Sequence, residues 1–344
     1  MEKNVVIIGG GSAGISAAVE LSKAGIPSII IEKENAIGGF PLKFSCKAVE
    51  QCTGCGLCQF NEILNEFEIA DKTNLLTSSQ LENLKGNFGN FNVTVSQKNG
   101  NDKIDNLTLP ADAIIVATGG QPFDAKQKIQ FGYKKFKNVI TGLELEEKLR
   151  AGGKDIEFDG KKPKEVAFIQ CVGSRDENIN KGFCSKVCCR YALRMANILK
   201  EKIKDVNITI FYMDLQTTGK DILSTYNDIK DKFEFINVIP TYVKEKDGKL
   251  EVRFDDIKNG KMGYKEFDLV VLSVGISPNK GNKDLAKMLG ININRFGFYD
   301  LHDSCETNKE GVFLAGTSIA PMSIVDSIAS AKNAVYKIIS KIRG

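Results

Sequence analysis

The chain has 344 residues, of which 42% are hydrophobic and 26% charged, and its 47 basic and 43 acidic residues leave a net charge of only +4. The basic residues are scattered among acidic ones, which argues against a nucleic-acid partner. No uninterrupted apolar run approaches the roughly 18 residues of a membrane span. The length is sufficient for two domains. The chain has a single histidine, His302, so catalysis by imidazole groups is not expected.

The first predicted elements are a strand from Val5 to Ile8, a glycine-rich turn and a helix. Glycines at positions 9, 11 and 14 allow a tight turn, close approach of a pyrophosphate and packing of the helix on the strand. A second strand, Ser28 to Ile31, ends in Glu32, which can accept both hydroxyls of an adenosine ribose. The pattern predicts a bound dinucleotide at the start of the helix.

Three later segments favour FAD over NAD. Gly38-Gly39 follows the second strand, a predicted strand runs from Ala113 into Thr118-Gly119, and a last strand is followed by a closing helix that begins near Ile324. In thioredoxin-reductase-like flavoproteins an Asp usually contacts the flavin ribitol where this chain has Thr317, so that contact cannot be ionic here. The residues predicted to bind FAD are Gly9, Gly11, Ser12, Ala13, Gly14, Glu32, Lys33, Gly38, Gly39, Thr118, Gly119, Gly316, Thr317 and Ile324.

Eight of the nine cysteines fall into two sets of four. The first set has the spacing C-x5-C-x2-C-x2-C, which is typical of loops that bind iron-sulfur clusters, and the second has the rarer spacing C-x12-C-x3-C-C. Four thiolates also suit a structural zinc site, and disulfides would need an oxidising compartment that the sequence does not indicate. The ninth, Cys305, is predicted to be an ordinary thiol. The sets are Cys46, Cys52, Cys55 and Cys58, and Cys171, Cys184, Cys188 and Cys189.

The second cysteine set lies in a second predicted strand-helix-strand unit: a strand from Val166 to Gln170, a helix from Cys184 to Lys200, and a strand from Ile208 to Tyr212. An NAD(P)H-binding domain would have a glycine fingerprint between the first strand and the helix. Here cysteines flank that turn, so we expect a cluster in place of a phosphate. Cys184 and Cys188 would lie one turn apart on one face of the helix, whose N-terminus favours thiolates.

The sequence therefore predicts an α/β fold with two dinucleotide-binding, Rossmann-like domains of the thioredoxin reductase type. The FAD-binding domain would comprise residues 1–125 and 266–344. The inserted relic of a dinucleotide domain, with its iron-sulfur cluster, would comprise residues 160–246. Residues 126–159 and 247–265 would connect the two, and alternating short strands over 85–109 predict a small antiparallel sheet.

Five segments together resemble the A subunit of heterodisulfide reductase: NVITGLELEEKL at 138–149, FIQCVGSRD at 168–176, FCSKVCCRYAL at 183–193, FYMDLQTTGKD at 211–221 and GVFLAGTSIAP at 311–321. The resemblance implies a 4Fe-4S cluster on Cys171, Cys184, Cys188 and Cys189. The methanogen subunits are longer and carry further ferredoxin-like domains. In size the chain is most similar to the short A subunit of the heterodisulfide-reductase-like complex of sulfur-oxidising prokaryotes.

The resemblance also implies a function: an FAD-dependent oxidoreductase subunit with two 4Fe-4S clusters, which passes electrons between sulfur chemistry on partner subunits and a further acceptor. The implied partners are B and C type subunits, a lipoate-binding protein and a second copy of the chain. Arg194 would lie near the flavin, where bifurcating relatives have Lys. The first strand begins close to Met1, so we expect no leader peptide and a cytoplasmic location. The loop from Cys46 to Cys58, which contains Gly54 and Gly56 and has Lys43 and Lys47 at its start, is predicted to dock a partner subunit.

Two other functions fit the same motifs. Cys52 and Cys55 form a C-x-x-C pair that could act as the redox dithiol of a stand-alone flavin disulfide reductase. Alternatively, FAD and metal could only stabilise a non-catalytic scaffold subunit. Iron content would distinguish the first alternative, and a redox titration the second.

Overall fold

The structure, a computed structural model, describes residues 3–49, 52–98, 104–151, 156–158, 160–216, 226–227, 229–256 and 259–343. The chain divides into two compact units. Unit 1 comprises Met1–Leu42, Gly56–Gln121 and Pro278–Gly344, and unit 2 comprises Lys43–Cys55 and Pro122–Ser277. Most of the predicted FAD-binding segments fall in unit 1 and the predicted insert falls in unit 2. Segment 43–55, which the sequence assigns to the FAD-binding domain, belongs to unit 2.

Unit 1 is built on a parallel sheet with the strand order β18-β7-β1-β2-β3. The strands are short apolar runs, because a parallel sheet is buried on both faces. In the first strand, Val5 and Ile7 face one core, and Val6 and Ile8 face the other. The strands are β1 (Val5–Ile8), β2 (Ser28–Ile31), β3 (Thr73–Leu76), β7 (Ala113–Val116) and β18 (Val312–Leu314).

Two helices, Ser12–Lys23 and Ile324–Arg343, cover one face of this sheet, and a small antiparallel sheet together with the helix Asn282–Leu289 covers the other. The antiparallel element predicted near residues 85–109 is confirmed. The antiparallel strands are β4 (Ser79–Asn87), β5 (Asn90–Lys98) and β6 (Ile104–Ala111). The helices of unit 1 are α1 (Ser12–Lys23), α2 (Leu57–Glu68), α5 (Asn282–Leu289) and α6 (Ile324–Arg343).

Unit 2 repeats the parallel-sheet design with the strand order β12-β11-β10-β16-β9. Val166 and Phe168 of its central strand pack under two helices, and Ala167 and Ile169 pack against the opposite core. The strands are β9 (Val139–Thr141), β10 (Glu165–Val172), β11 (Asn207–Phe211), β12 (Glu234–Ile236) and β16 (Leu269–Val274). The helices are α3 (Gly142–Arg150) and α4 (Cys188–Lys202).

The segment that follows β12 is a three-stranded antiparallel sheet rather than a simple connection. It contributes Val243, Leu250, Val252 and Phe254 to the second core of unit 2. Its strands are β13 (Tyr242–Lys246), β14 (Lys249–Asp256) and β15 (Lys261–Phe267), and β8 (Gly120–Pro122) pairs with β17 (Ile276–Pro278) in a two-stranded sheet.

Helix α4 begins later than the sequence predicts. The predicted helix starts at Cys184, whereas the observed helix starts at Cys188. Lys186 has a positive φ of 60°, a left-handed conformation that a right-handed helix cannot include. The prediction that Cys184 and Cys188 share one helical face is therefore wrong, because Cys184 lies in the loop before the helix.

Candidate functional site

The glycine turn of unit 1 leaves space for a ligand. A Cβ on Gly14 would lie 1.9 Å from the Gly9 carbonyl oxygen, so only glycine allows α1 to pack this closely on the turn. Gly9 has a φ of 109°, and a Cβ there would meet the Ala117 carbonyl oxygen at 2.5 Å. At Gly11, in contrast, a Cβ would meet no atom of the described residues within 4 Å. Gly11 also precedes α1 without a side-chain cap, so the first N–H groups of the helix are available to an anion.

Glu32 lies where the dinucleotide motif requires it. Its carboxylate is nearly buried and accepts hydrogen bonds from the Gly10 backbone N–H at 2.7 Å and from the Glu34 N–H at 2.9 Å. These bonds fix the carboxylate beside the glycine turn, where it can accept from ribose hydroxyls. Lys33 is exposed and pairs with Glu34 at 3.7 Å, so its side chain points to solvent.

The other predicted FAD residues of unit 1 pack around the same turn. A Cβ on Gly39 would lie 3.2 Å from the Cα of Gly11, and one on Gly316 would lie 2.7 Å from the Cβ of Ala13. Thr317 accepts a hydrogen bond from the Gly120 N–H at 2.8 Å through Oγ1. A neutral hydroxyl thus fastens the turn after β7, where an Asp is usual in thioredoxin-reductase-like flavoproteins.

Two hydroxyls of unit 1, Thr118 Oγ1 and Tyr299 Oη, are buried, and neither has a well-formed hydrogen bond among the residues that the structure describes. The two side chains interact with each other. Burial raises the pKa of Tyr299, so the phenol is neutral. Buried polar atoms normally have partners, and the space at Gly11 accepts a pyrophosphate. The residues of unit 1 therefore fit a bound FAD.

The second cysteine set is assembled by a folded loop between β10 and α4. Arg175 donates its N–H to the Phe183 carbonyl at 3.0 Å, so the loop folds back and returns the chain to the end of β10. The hydroxyls of Ser174 and Ser185 are hydrogen-bonded at 2.5 Å, and Ser185 Oγ accepts from the Ile276 N–H at 2.8 Å. These bonds hold the segments that carry Cys171 and Cys184 together.

The backbone of this loop is held in an uncommon conformation. Cys171 has a φ of 59°, and the pairing of β10 with β16 is irregular between Ile169 and Val172. A Cβ on Gly173 would lie 2.0 Å from the Phe123 ring. Left-handed backbone at residues other than glycine is costly and is concentrated at functional sites. The irregular strand end turns the thiol of Cys171 out of the regular pleat.

The four thiols of the second set influence one another. Cys188 and Cys189 open helix α4 and are buried, and the Cys184 sulfur accepts a hydrogen bond from the Lys186 N–H at 3.3 Å. Burial, reinforced by Cys189, raises the pKa of Cys171 to about 11, and burial raises that of Cys188 as well. When one of these buried thiols ionises, its negative charge makes ionisation of the others less favourable. A bound cation would offset this repulsion, so the four thiols are expected to become thiolates when they bind a metal.

Further polar groups lie on the α4 side of the sheet in unit 2. Gln170 is fully buried, and neither atom of its amide has a hydrogen-bond partner among the described residues. Tyr191 donates to the Val274 carbonyl at 2.8 Å. Among the residues that the structure describes, no three Cys, His, Asp or Glu side chains already form a metal-binding group. The thiol chemistry and the unpaired amide fit an iron-sulfur cluster, whose sulfurs accept hydrogen bonds.

The first cysteine set is divided between the two units. Cys46, Cys52 and Cys55 lie in segment 43–55 of unit 2, and Cys58 lies in α2 of unit 1. The sulfurs of Cys46 and Cys52 each accept a backbone N–H at 3.4 Å, from Ala48 and Gly54. Such N–H···S bonds stabilise thiolates and also occur around cluster sulfurs.

An ion pair that the sequence did not indicate holds segment 43–55 to α3. Lys47 and Glu146 are both buried and lie 2.5 Å apart, and Glu146 also accepts hydrogen bonds from the N–H and hydroxyl of Ser45. Val49 packs against the adjacent core. Lys47 itself is not available to a partner, because its ammonium group is buried against Glu146. Docking by the loop from Cys46 to Cys58 stays a prediction.

Arg194 contacts the same segment. Its guanidinium is buried and donates to the Thr53 carbonyl, and Arg190 donates to the Gly54 carbonyl at 3.4 Å. Burial, reinforced by the charge of Arg190, lowers the pKa of Arg194 to about 10. Its predicted position near the flavin stays a prediction.

All nine cysteines are free thiols in the structure. Cys305 is buried in the core of unit 1, where burial raises its pKa. It therefore packs as an ordinary apolar side chain. Within the described ranges, no helix is long and apolar enough to cross a membrane.

Comparisons with solved structures confirm the predicted fold. The chain aligns with the thioredoxin reductase of T. acidophilum at a TM-score of 0.63 over 100% of both chains, with 20% identity. The Lactococcus lactis thioredoxin reductase gives the same TM-score over 98% of both chains, with 17% identity. Residues 3–169 match the family model of pyridine nucleotide-disulphide oxidoreductases. The match and the fold support the predicted FAD-dependent oxidoreductase.

The chain is similar to the A subunits of heterodisulfide reductases. It is 30% identical to the iron-sulfur A subunit of the CoB–CoM heterodisulfide reductase of Methanocaldococcus jannaschii, over 97% of this chain and 63% of that protein. It is 29% identical to the A subunit of the H2:CoB-CoM heterodisulfide,ferredoxin reductase of Methanothermobacter thermautotrophicus, over 98% of this chain and 63% of that one. The chain thus spans less than two thirds of the length of these relatives. The resemblance to A subunits is confirmed, and the sulfur-oxidising subtype stays a prediction.

Proposed function

We propose that this chain is the FAD and iron-sulfur electron-transfer subunit of a heterodisulfide-reductase-like complex. The observation that carries the proposal is the contrast between two turns that follow parallel strands. In unit 1 the turn consists of glycines and has open space at Gly11. In unit 2 the corresponding turn is flanked by four cysteines. Open backbone suits a pyrophosphate, and clustered thiols suit a metal cluster. Similarity to A subunits over nearly the whole chain supports the same conclusion.

The residues of each site have distinct tasks in this proposal. The N–H groups at the start of α1 bind the pyrophosphate, Glu32 accepts from the ribose, and Thr317 holds the turn at Gly120. Bound FAD would accept an electron pair and release its electrons one at a time, and each 4Fe-4S cluster would carry one of them. One cluster would be held by Cys171, Cys184, Cys188 and Cys189, and the other by Cys46, Cys52, Cys55 and Cys58.

Sulfur chemistry would take place on partner subunits, since this chain offers few groups for it. His302, the single histidine, is exposed on the surface of unit 1. The proposed partners are B and C type subunits, a lipoate-binding protein and a second copy of the chain, in the cytoplasm. The proposed complex is of the sulfur-oxidising type, with electrons passing to a further acceptor.

An activity comparison tests this function. The isolated chain, purified anaerobically, should reduce artificial dyes but show little turnover with thiols or disulfides alone. The complex reconstituted with B and C type subunits should show full turnover. Thiol or disulfide turnover by the isolated chain at the rate of the complex would contradict the proposal.

The second candidate is a flavin disulfide reductase with Cys52 and Cys55 as its dithiol. It is favoured by the accessibility of these two free thiols and by the thioredoxin-reductase fold. Cys46→Ser is the discriminating variant. A disulfide reductase would keep its activity in Cys46→Ser and lose it in Cys52→Ser. A cluster site would lose iron in both variants.

A further inference from the structure

Arg194 is a buried cation, and no carboxylate of the described part of the chain pairs with it. Only 7% of the residue is exposed, one guanidinium nitrogen donates to the Thr53 carbonyl, and the buried Nε has no hydrogen-bond partner. Across the residues that the structure describes, no Asp or Glu forms an ion pair with it. A buried charge of this kind is costly unless an anion compensates it.

The surroundings of Arg194 increase this cost. Arg190, one helical turn earlier on α4, donates to the Gly54 carbonyl at 3.4 Å, so two positive charges face the same short stretch of loop. Arg194 binds the carbonyl of Thr53, which lies between Cys52 and Cys55, and among the described residues the thiols of these two cysteines are the neighbouring groups that can become anionic. The helix therefore presents uncompensated positive charge to the loop between these two cysteines.

Arg175 provides a contrast within the same unit. It lies beside the second cysteine set, but its guanidinium forms two hydrogen bonds with the Asp214 carboxylate, at 2.6 and 3.0 Å. About a quarter of its side chain and half of that of Asp214 are exposed. Its charge is therefore already compensated by a carboxylate and screened by solvent.

We propose that Arg194 is the positioning and charge-compensating residue of the first cysteine set. In this inference, which rests on the proposed function, the missing anion is the iron-sulfur cluster held in part by Cys52 and Cys55. The bond to the Thr53 carbonyl fixes the loop between these two ligands. The charge favours the reduced cluster, because reduction adds one electron and hence one negative charge beside the guanidinium. The reduction potential of this cluster is therefore higher than it would be without Arg194.

The test compares Arg194→Gln, which removes the charge, with Arg194→Lys, which keeps it. Both are made in the full chain, purified anaerobically, and measured for iron and flavin content and by a redox titration followed by electron paramagnetic resonance. Cys55→Ser identifies the signal of the first cluster by its loss. Arg175→Gln is the matched control, since it removes an arginine charge from the same unit.

Arg194→Gln should decrease the equilibrium constant for reduction of the first cluster about tenfold, a shift of ~59 mV for a one-electron couple, and leave the second cluster unchanged. Arg194→Lys should shift the reduction potential of the first cluster less, and Arg175→Gln should leave that potential unchanged. The same role is supported if Arg194→Gln loses about half of its iron while Arg194→Lys keeps its iron and both variants keep their full flavin content.

Unchanged iron and an unchanged potential in Arg194→Gln would overturn the inference. An equal shift of the first cluster's reduction potential in Arg175→Gln would also overturn the inference, since loss of any arginine charge in the unit would then have the same effect. A wild-type chain that contains no iron would instead contradict the proposed function, so the two failures are distinguishable.

Discussion

The β1–α1 turn of unit 1 and the β10–α4 loop of unit 2 occupy equivalent places in two parallel sheets, yet they are built for different ligands. The first is a run of three glycines, Gly9–Gly11, with open space at Gly11 among the described residues and a helix N-terminus that has no side-chain cap. The second is a longer loop, Gly173–Val187, folded back on itself and flanked by thiols. The same fold can therefore bind a phosphate or a metal cluster. Backbone N–H groups of the turn would bind a phosphate, and thiol side chains would bind a metal cluster.

The largest expected effect concerns the turn of unit 1. Gly11→Val should abolish flavin binding, because the side chain would fill the pyrophosphate space, while the fold persists because a Cβ there meets no protein atom. Flavin absorbance of the purified chain and its thermal midpoint measure the two effects. Gly281→Ala is the control, since a Cβ there meets only the Asn279 side chain, at 3.6 Å. A fully yellow Gly11→Val variant would mean that the turn does not bind the cofactor.

A change at the unit 2 loop should have the complementary effect. Cys188→Ser should remove about half of the iron and leave the flavin, because it deletes a ligand of one set, in unit 2, whereas the predicted FAD-binding residues belong to unit 1. Cys305→Ser, in the core of unit 1, should keep all of the iron. Metal analysis and flavin absorbance provide the measurement. If Cys188→Ser removed all of the iron, the eight cysteines would act as one site.

A smaller effect is expected where segment 43–55 is attached to unit 2. Glu146→Gln leaves the Lys47 ammonium buried without its counter-charge, which should cost about 3 kcal/mol. Chemical denaturation measures the loss, and proteolysis within the segment should become faster. Replacing both residues with apolar ones should recover most of the stability.

Glu147→Gln is the matched control, because Glu147 is the exposed neighbour of Glu146 on the same helix. Its stability should stay within about 0.5 kcal/mol of the wild type. Equal stability of the two variants would mean that the Lys47–Glu146 pair does not hold the segment.

The sequence predicted the elements around the glycine turn of unit 1 well because their signals are local. Short apolar strands, glycines at fixed offsets and an acid after the second strand are sufficient to predict β1, α1, β2 and the position of Glu32, and each lies where it was predicted. The closing helix at Ile324 was predicted from the same kind of pattern.

The unit 2 loop was harder to predict because it depends on distant contacts. The start of α4 is displaced by the left-handed conformation of Lys186, which lies in a loop fixed by the Ser174–Ser185 bond. The attachment of segment 43–55 depends on the pairing of Lys47 with Glu146, 99 positions further along the chain. Hydrophobic periodicity cannot predict an ion pair between residues so far apart in the sequence.

The most direct test of the account is the cofactor content of the wild-type chain. Anaerobic purification followed by flavin, iron, sulfide and zinc analysis should give about one FAD and about eight iron with matching sulfide per chain, if each cysteine set holds a 4Fe-4S cluster. Zinc without sulfide would contradict the central claim that the thiols of the two sets hold electron-transfer clusters.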